Sequence, residues 1–403
     1  MALLAVEEAL ARVLDGVEPL PSEAVSLQEA HGRVLAEDLA ARRTQPPADV
    51  SAMDGYAVRA ADVARVPARL TLVGEAAAGR PFERALGAGE AARIFTGGVL
   101  PTGADTVVVQ ERTERVGANV VVTAPVAAGK NVRTEGLDFR AGDVLLAAGR
   151  ALSDRDLALA AAMNHASVRV RRRPRLALLA TGDELVAPGT APGPGQIVYS
   201  NGFALAALAR REGAQVIDLG IVPDRVDATL AAIDQAALAP ADILVTTGGA
   251  SVGDYDLVQK ALAARGLALS FWKVALRPGR PMMHGTLGAM RVLGLPGNPV
   301  SAYVCAFLFL VPLLRRLLGR TDLDPPIEAA VLGCDLPAND ERADYLRATF
   351  ARAPDGRLVA SPFARQDSSM VAVLAQADGL LLRAPHAAAA RAGEPCTIVK
   401  FDR

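Results

Sequence analysis

Glycines and carboxylates stand together at several points of this chain, in patterns that could hold an anion. Ala241–Leu257 reads ADILVTTGGASVGDYDL. Its apolar run Asp242–Thr247 suits a buried strand. The run stops at Gly248-Gly249, where the absence of Cβ allows a tight reversal or close approach by a ligand. Ser251, Gly253, Asp254 and Asp256 follow, and a helical run begins at Leu257. This order of strand, glycine turn, polar residues and helix is how open α/β sheets hold a ligand beyond the carboxyl end of a strand. Two other strand ends carry polar turns, Thr181-Gly182-Asp183-Glu184-Leu185 and Gly294-Leu295-Pro296-Gly297-Asn298-Pro299-Val300-Ser301. Asn298 suits an N-cap and Pro299 a first helical position. Each stretch is also compatible with ordinary turn and cap chemistry, so the remainder of the chain must decide.

Composition narrows the choice. The chain has 403 residues and a net charge of −1, which does not suit a generic nucleic-acid binder. Cys305, Cys334 and Cys396 are far apart and form neither a disulfide framework nor a Cys-x-x-Cys metal site. His31, His165, His284 and His386 are isolated in sequence. A metal here would be held by oxygen ligands, which favours Mg²⁺. The N-terminus carries acids inside its apolar stripe and is not a signal peptide. The longest apolar stretch, Pro299–Leu314, is too short and interrupted for a membrane span. A soluble cytoplasmic protein that binds no membrane is expected.

The elements that must position these residues fall into four parts. Residues 3–14 and Ser26–Leu39 repeat apolar groups at helical spacing, until Thr44-Gln45-Pro46-Pro47 breaks the pattern. Ser51-Ala52-Met53-Asp54-Gly55-Tyr56-Ala57-Val58 holds an Asp-Gly turn signal. Short β-rich runs follow at Leu70–Gly74, Ala91–Phe95, Thr106–Gln110 and Asn119–Ala124. Thr96-Gly97-Gly98 ends one of them, and Asn131–Asp138 leads out. Leu152–Met163 reads as a helix capped by Ser153 and Asp156, expected to pack back on the N-terminal helices. The basic run Val168–Arg175 reads as an anion patch or a solvated linker.

From Leu176 strands and helices alternate, which argues for a mainly parallel sheet with helices on both faces. Strands are expected at Leu176–Ala180, Gln215–Leu219, Asp242–Thr247, Leu267–Ala275 and Met290–Leu293. Helices are expected at Phe203–Glu212, Val226–Ala237, Leu257–Arg265 and Pro299–Leu318. Beyond the linker Asp322–Pro326, five strand-like runs between Ile327 and Phe401 suggest a small β-barrel or sandwich.

Seven stretches together resemble the MoeA family of molybdopterin molybdenumtransferases, relatives of the gephyrin E domain. They are SAMDGYAV at 51–58, TGG…P…GAD across 96–105, NVR…G…D across 131–138, TGDEL at 181–185, GGASVGDYD at 248–256, PGRP at 278–281 and GLPGNPVSA at 294–302. The resemblance implies a multidomain α/β chain. A helical dimerisation domain (1–47 and 142–169) would flank a β-rich insertion (48–141), followed by a molybdopterin-binding α/β domain (170–323) and a C-terminal β-barrel (324–403). It also implies an elongated homodimer whose active site lies between the sheet domain of one chain and the insertion of the other. Adenylylated molybdopterin, handed over from the adenylyltransferase, would receive molybdate with Mg²⁺-dependent release of AMP.

Carried over by position, the resemblance makes Asp54, Asp138, Glu184, Asp224 and Asp256 the essential acids, with Glu184 and Asp256 holding Mg²⁺. Thr96, Arg133, Thr181, Gly182, Gly248, Gly249, Ser251, Gly253 and Ser368 would bind substrate. Gly297, Asn298 and Ser301 would also bind substrate, Pro296 and Pro299 would shape the wall of the molybdate pocket, and Lys273, Arg277 and Arg280 would supply cations. The chemistry is coherent: glycine turns offer amides to phosphate, carboxylates hold Mg²⁺, and guanidinium groups fork onto oxyanions. The chain departs from the family pattern in having Arg277 and Arg280 where lysines are usual, Leu137 where an acid is frequent, and Arg225 where a second acid is common. Two other readings remain: a non-catalytic scaffold of gephyrin type, and a molybdopterin adenylyltransferase, for which the sheet domain alone would suffice.

Overall fold

The computed structural model describes residues 3–248 and 257–401. Gly249, Ser251, Gly253, Asp254 and Asp256, singled out above, lie outside the described residues.

Helix Val6–Leu14 buries Val6, Ala9 and Val13. That stripe joins the core formed by Leu313, Leu314 and Leu317 of the α/β region. Removing such side chains from water stabilises the contact by about 1.5–3 kcal/mol each. The second expected helix, over Ser26–Leu39, does not form. A short 3-10 turn, Leu27–Glu29, gives way to extended chain. Gly32 sits at φ +69°, and Val34 and Leu35 bridge to Ala151 and Val170. Main-chain pairing with the returning segment overrides the helical spacing: Ser22–Ser26 runs antiparallel to Ser167–Arg171, and Leu39–Ala40 to Val144–Leu146.

Helix Asp154–Ala162 has the expected reciprocal cap between Ser153 and Asp156. It packs on residues 25–41 through Leu152, Ala160 and Met163, rather than on the first helix. The basic run is neither patch nor loose linker. Arg171 donates to Leu20 O (3.1 Å), Arg172 forks onto Asp242 (2.8 and 2.9 Å) and Arg173 donates to Gly213 O (3.2 Å).

The inserted region is a six-stranded sheet in the order Thr106–Val109, Gly55–Val58, Glu90–Ile94, Ala68–Ala76, Asn119–Val122, Thr113–Val116. Its cores, around Tyr56, Val108 and Val120 and around Ala57, Ile94 and Val107, draw only on its own residues.

The α/β sheet runs Gln215–Val222, Arg175–Thr181, Ile243–Thr247, Met290–Leu295, Met283–Leu287, Ala268–Phe271. The first four strands are parallel. The last two add antiparallel. Met283–Leu287 was not anticipated, because His284, Gly285 and Thr286 interrupt its apolar pattern. Helix Asn201–Arg211 and the long helix Pro299–Leu317 cover one face. Helices Val226–Leu238 and Leu257–Ala264 cover the other. The helix Pro299–Leu317 is long and apolar enough to cross a membrane by composition, yet 89% of it is buried inside the fold, as in a core helix.

Five C-terminal strands close into a barrel, because Ala343–Arg352 pairs with both Leu358–Pro362 and Gly379–Arg383. Ile327–Leu332 and Pro395–Lys400 complete it.

Candidate active site

Four strands of the α/β sheet end side by side. Ala180 pairs with Thr247, Thr181 with Val222 and Thr247 with Leu295. The turns beginning at Gly182, Pro223, Gly248 and Pro296 therefore leave the same carboxyl edge. The helices that follow Thr181 and Thr247 lie on opposite faces of the sheet, which opens a crevice between the two strand ends. A cavity of about 620 Å³ fills it. Thr181, Glu184, Thr247, Gly248, Pro296, Gly297, Asn298 and Pro299 line it, joined by Tyr199, Asn201, Pro281 and Ser369.

Several details suit an anionic ligand. Gly248 has φ +89°, and a Cβ there would stand 2.4 Å from Thr181 O, so only glycine fits. The Thr181 hydroxyl is buried without a hydrogen-bond partner among the described residues, which leaves a donor for a ligand. Asn298 occupies the N-cap position of the long helix but does not cap it. Its amide donates instead to Ser368 Oγ (3.0 Å), while Val300 N donates to Ser368 O (3.0 Å). Asn201 Nδ2 holds Gly297 O at 2.8 Å. Burial pushes the Tyr199 hydroxyl up to about 12, so it enters the cavity as a neutral phenol.

Three acids gather at one side. Asp224 N donates to Asp183 Oδ1 (3.1 Å). The Asp224 carboxyl is pushed above its usual range by burial, with the Asp183 and Glu184 charges adding to the effect. Asp224 is thus part of this group, not an isolated turn residue. Among the described residues no three His, Cys, Asp or Glu side chains are disposed to hold a metal ion, so a complete site would need a ligand from elsewhere. The donor set is all oxygen, and the crowding of like charge is what a divalent cation relieves.

The inserted sheet carries a second grouping. Three motif stretches are tied together: Ser51 N donates to Gly98 O (2.9 Å), Gly97 N to Ser51 O (2.8 Å) and Ala52 N to Asn131 O (2.9 Å). Val132–Arg133 pairs with Val50–Ser51. The Thr96 amide and hydroxyl both donate to Asp54 Oδ1, at 2.7 and 2.8 Å. These bonds hold the Asp54 carboxyl below its usual range, with the Arg93 charge helping. Asp138 follows an exposed loop and is anchored by its amide to Gln45 O (3.0 Å).

Some expected residues are elsewhere. Arg277 forks onto Asp344 and also reaches Asp340 (3.0 Å) and Asn339 (2.9 Å). Its guanidinium fastens the chain before the PGRP loop to the barrel. Lys273, Arg280 and Ser301 are not among the cavity's lining residues, and Ser301 is buried in the helix.

One contributor was missed. Arg347 is fully buried in a barrel strand. It donates to Gln366 Oε1 (3.1 Å) and Asp367 O (2.9 Å), which fixes the loop bearing Ser368 and Ser369. An arginine in a strand-like run reads as a solvent-facing residue, so nothing local in the sequence marks it.

The chain matches three family descriptions: "MoeA N-terminal region (domain I and II)" over residues 4–164, "Probable molybdopterin binding domain" over 177–316 and "MoeA C-terminal region (domain IV)" over 329–401. It is 41% identical over 333 residues to a molybdopterin molybdenumtransferase from Nostoc sp., covering 81% of this chain and 76% of that one. It is 33% identical to the enzyme of that name from Haemophilus influenzae, covering 99% of each. A crystal structure of a molybdopterin biosynthesis MoeA protein from Pyrococcus horikoshii superposes with a TM-score of 0.86 at 31% identity, covering all of both chains. The cavity at the sheet's carboxyl edge, the paired acid groupings and these likenesses agree: the chain belongs to the MoeA family of molybdopterin molybdenumtransferases, transferases of molybdenum cofactor biosynthesis.

Proposed function

We propose that this chain inserts molybdate into adenylylated molybdopterin, cleaving the phosphoanhydride and releasing AMP, and that it does so in the cytoplasm. The observation that carries the reading is the cavity at the switch point of the sheet. Its walls come from the three motif turns beginning at Thr181, Gly248 and Pro296. The Thr181 hydroxyl and the amides around Gly248 would hold the anionic substrate. Gly249, Ser251 and Gly253 would extend that cradle. Glu184 and Asp256 would hold Mg²⁺, with Asp224 beside them. When bound, the cation would neutralise phosphate charge and polarise the bond to be cleaved.

Asp54, Thr96, Arg133 and Asp138 would complete the site from a second copy of the chain, in a homodimer. Supporting this, no hydrogen bond or ion pair among the described residues links residues 48–141 to residues 175–401. Asp54, ionised and aimed by Thr96, would orient substrate or accept a proton; Arg133 would meet an oxyanion. The four-part division read from the sequence is retained in this proposal, with 1–47 and 142–169 as the dimerising part.

The test is incubation with adenylylated molybdopterin, molybdate and Mg²⁺. AMP should appear in proportion to metallated product. Absence of AMP, with Asp54→Asn behaving like the parent, would overturn the reading in favour of a scaffold. Consumption of ATP with metal-free molybdopterin would point instead to an adenylyltransferase.

A further inference from the structure

Arg93 stands near the end of strand Glu90–Ile94, half-buried, on the wall of a cavity of about 790 Å³ in the inserted sheet. Its neighbour Ile94 is fully buried and belongs to the core of that sheet. Glu75 stands opposite Arg93 in the pairing with strand Ala68–Ala76. Opposite charges that face each other across a ladder attract, yet this guanidinium turns elsewhere. Nη1 donates to Gly55 O (3.2 Å) and Nη2 to Gln110 Oε1 (2.8 Å). Cζ lies 5.1 Å from the centre of the Tyr56 ring and 4.9 Å from that of Phe95. Stacking of this kind fixes the plane of the fork.

These contacts fall on residues that surround Asp54 and Thr96. Gly55 follows Asp54, and Phe95 precedes Thr96 in the chain. Gln110 donates its amide to Asp54 O (3.2 Å). Tyr56 pairs with Arg93 across the strands, next to the pairing of Gly55 with Ile94. One side chain therefore fastens the three segments that meet at Asp54: its own strand, the chain leading to Thr96 and the turn at Gln110. The Asp54 carboxyl depends on that registration, because the Thr96 amide (2.7 Å) and hydroxyl (2.8 Å) converge on one of its oxygens. A slip between the segments would spoil both bonds, since hydrogen bonds weaken steeply as their angle closes. The Arg93 charge adds to those two bonds in keeping the carboxyl ionised.

We propose that Arg93 is the positioning residue for Asp54: it locks Gly55, Phe95 and Gln110 together, so that the carboxylate stays aimed by Thr96. This rests on the reading of Asp54 as an acid that acts on the substrate. In this role Arg93 touches no reacting atom. A guanidinium suits the task better than an ammonium, because its planar fork reaches two acceptors while it also stacks on two rings.

The experiment measures AMP release by the full-length chain from adenylylated molybdopterin with molybdate and Mg²⁺. It compares Asp54→Asn, Arg93→Met, Arg93→Lys and the double variant Asp54→Asn with Arg93→Met. Arg93→Met should lower kcat about tenfold and move KM by less than about twofold, because the orientation of a reacting group is lost while substrate binding is not. Arg93→Lys keeps the charge but not the fork, and should recover part of the loss. The double variant should be no slower than Asp54→Asn alone, since Arg93 acts only through Asp54. A merely structural Arg93 would multiply its effect on that of Asp54→Asn, and this result overturns the inference. So does a parental kcat for Arg93→Met while Asp54→Asn is slow. A parental rate for Asp54→Asn overturns the reading of Asp54 itself. Circular dichroism checks folding. If Arg93→Met does not fold, the same cycle is run with Gln110→Met, which removes one acceptor of the fork at an exposed position. It should show the same dependence on Asp54, and multiplied effects there overturn the inference equally.

Discussion

Asp54 and Asp224 are held in opposite ways. Asp54 stands at the open start of a strand, with its carboxyl held low by two donors from Thr96. Asp224 sits on an exposed turn beside the like charges of Asp183 and Glu184, and desolvation and those charges push its carboxyl up. The inserted face is therefore charged and aimed, beside a cavity of about 790 Å³ lined by Tyr56, Arg93 and Phe95. The α/β face has its own cavity, a surplus of acid and an unused buried hydroxyl at Thr181. The proposal of a site completed between two copies would bring these two differently set carboxyls to one substrate.

The largest effects should come from removing one acid on either side. Asp54→Asn and Glu184→Gln should each lower the rate of AMP release by about 10²-fold or more, as loss of a group acting in the transition state does. A near-parental rate for Asp54→Asn would reduce the inserted face to a structural role.

Stability should separate the two regions next. His284 lies in the α/β sheet with neither ring nitrogen bonded among the described residues. Burial lowers its pKa to about 4, with Arg291 adding to the shift. The unfolded chain binds that proton from about pH 6.5 downward, whereas the folded chain does not until about pH 4. Stability is thus fully present above pH 6.5 and falls by about 3 kcal/mol as the pH drops to 4. The apparent Tm of the α/β region should follow that slope, and His284→Phe should flatten it. An unchanged slope would contradict the assignment.

The two glycine turns differ in a way that substitution can read. Gly248→Ala must accommodate φ +89° and a Cβ 2.4 Å from Thr181 O, and should cost about 2–3 kcal/mol. Gly97→Ala meets φ +80° but nothing nearer than 4.0 Å, and should cost about 1 kcal/mol. Denaturation curves for the pair would show whether the cavity turn is the tighter of the two. The smallest change is expected for Thr96→Val, which removes one of the two donors to Asp54. The Asp54 pKa should rise toward 3.8, observable by NMR titration of its carboxyl.

How far the sequence predicted these features depended on whether local pattern and tertiary contact agreed. Ile243–Thr247 is an apolar run that is also a buried central strand, and its end, at Thr247 and Gly248, lines the cavity. Ser26–Leu39 has helical spacing, but its chain pairs with residues 144–171, far away in sequence. Pairing over that distance leaves no local trace. Arg277 has the residue type expected of an oxyanion clamp, yet Asp344 and Asp340 claim it from more than sixty residues away. Arg347 was missed for the converse reason. Its burial follows from barrel closure, which no single strand reveals. The candidate acids were singled out by the resemblance of the motifs around them, since spacing alone would leave each as a turn or cap carboxylate.

The shared site is tested most directly by mixing two defective chains. Asp54→Asn spoils the inserted face of one copy, and Glu184→Gln spoils the cavity of the other. In an equal mixture about half of the dimers pair unlike chains, and each such dimer holds one intact site of two. AMP release should therefore return to about a quarter of the parental rate. A mixture as inactive as its separate components would mean that each chain works alone, and would contradict the account.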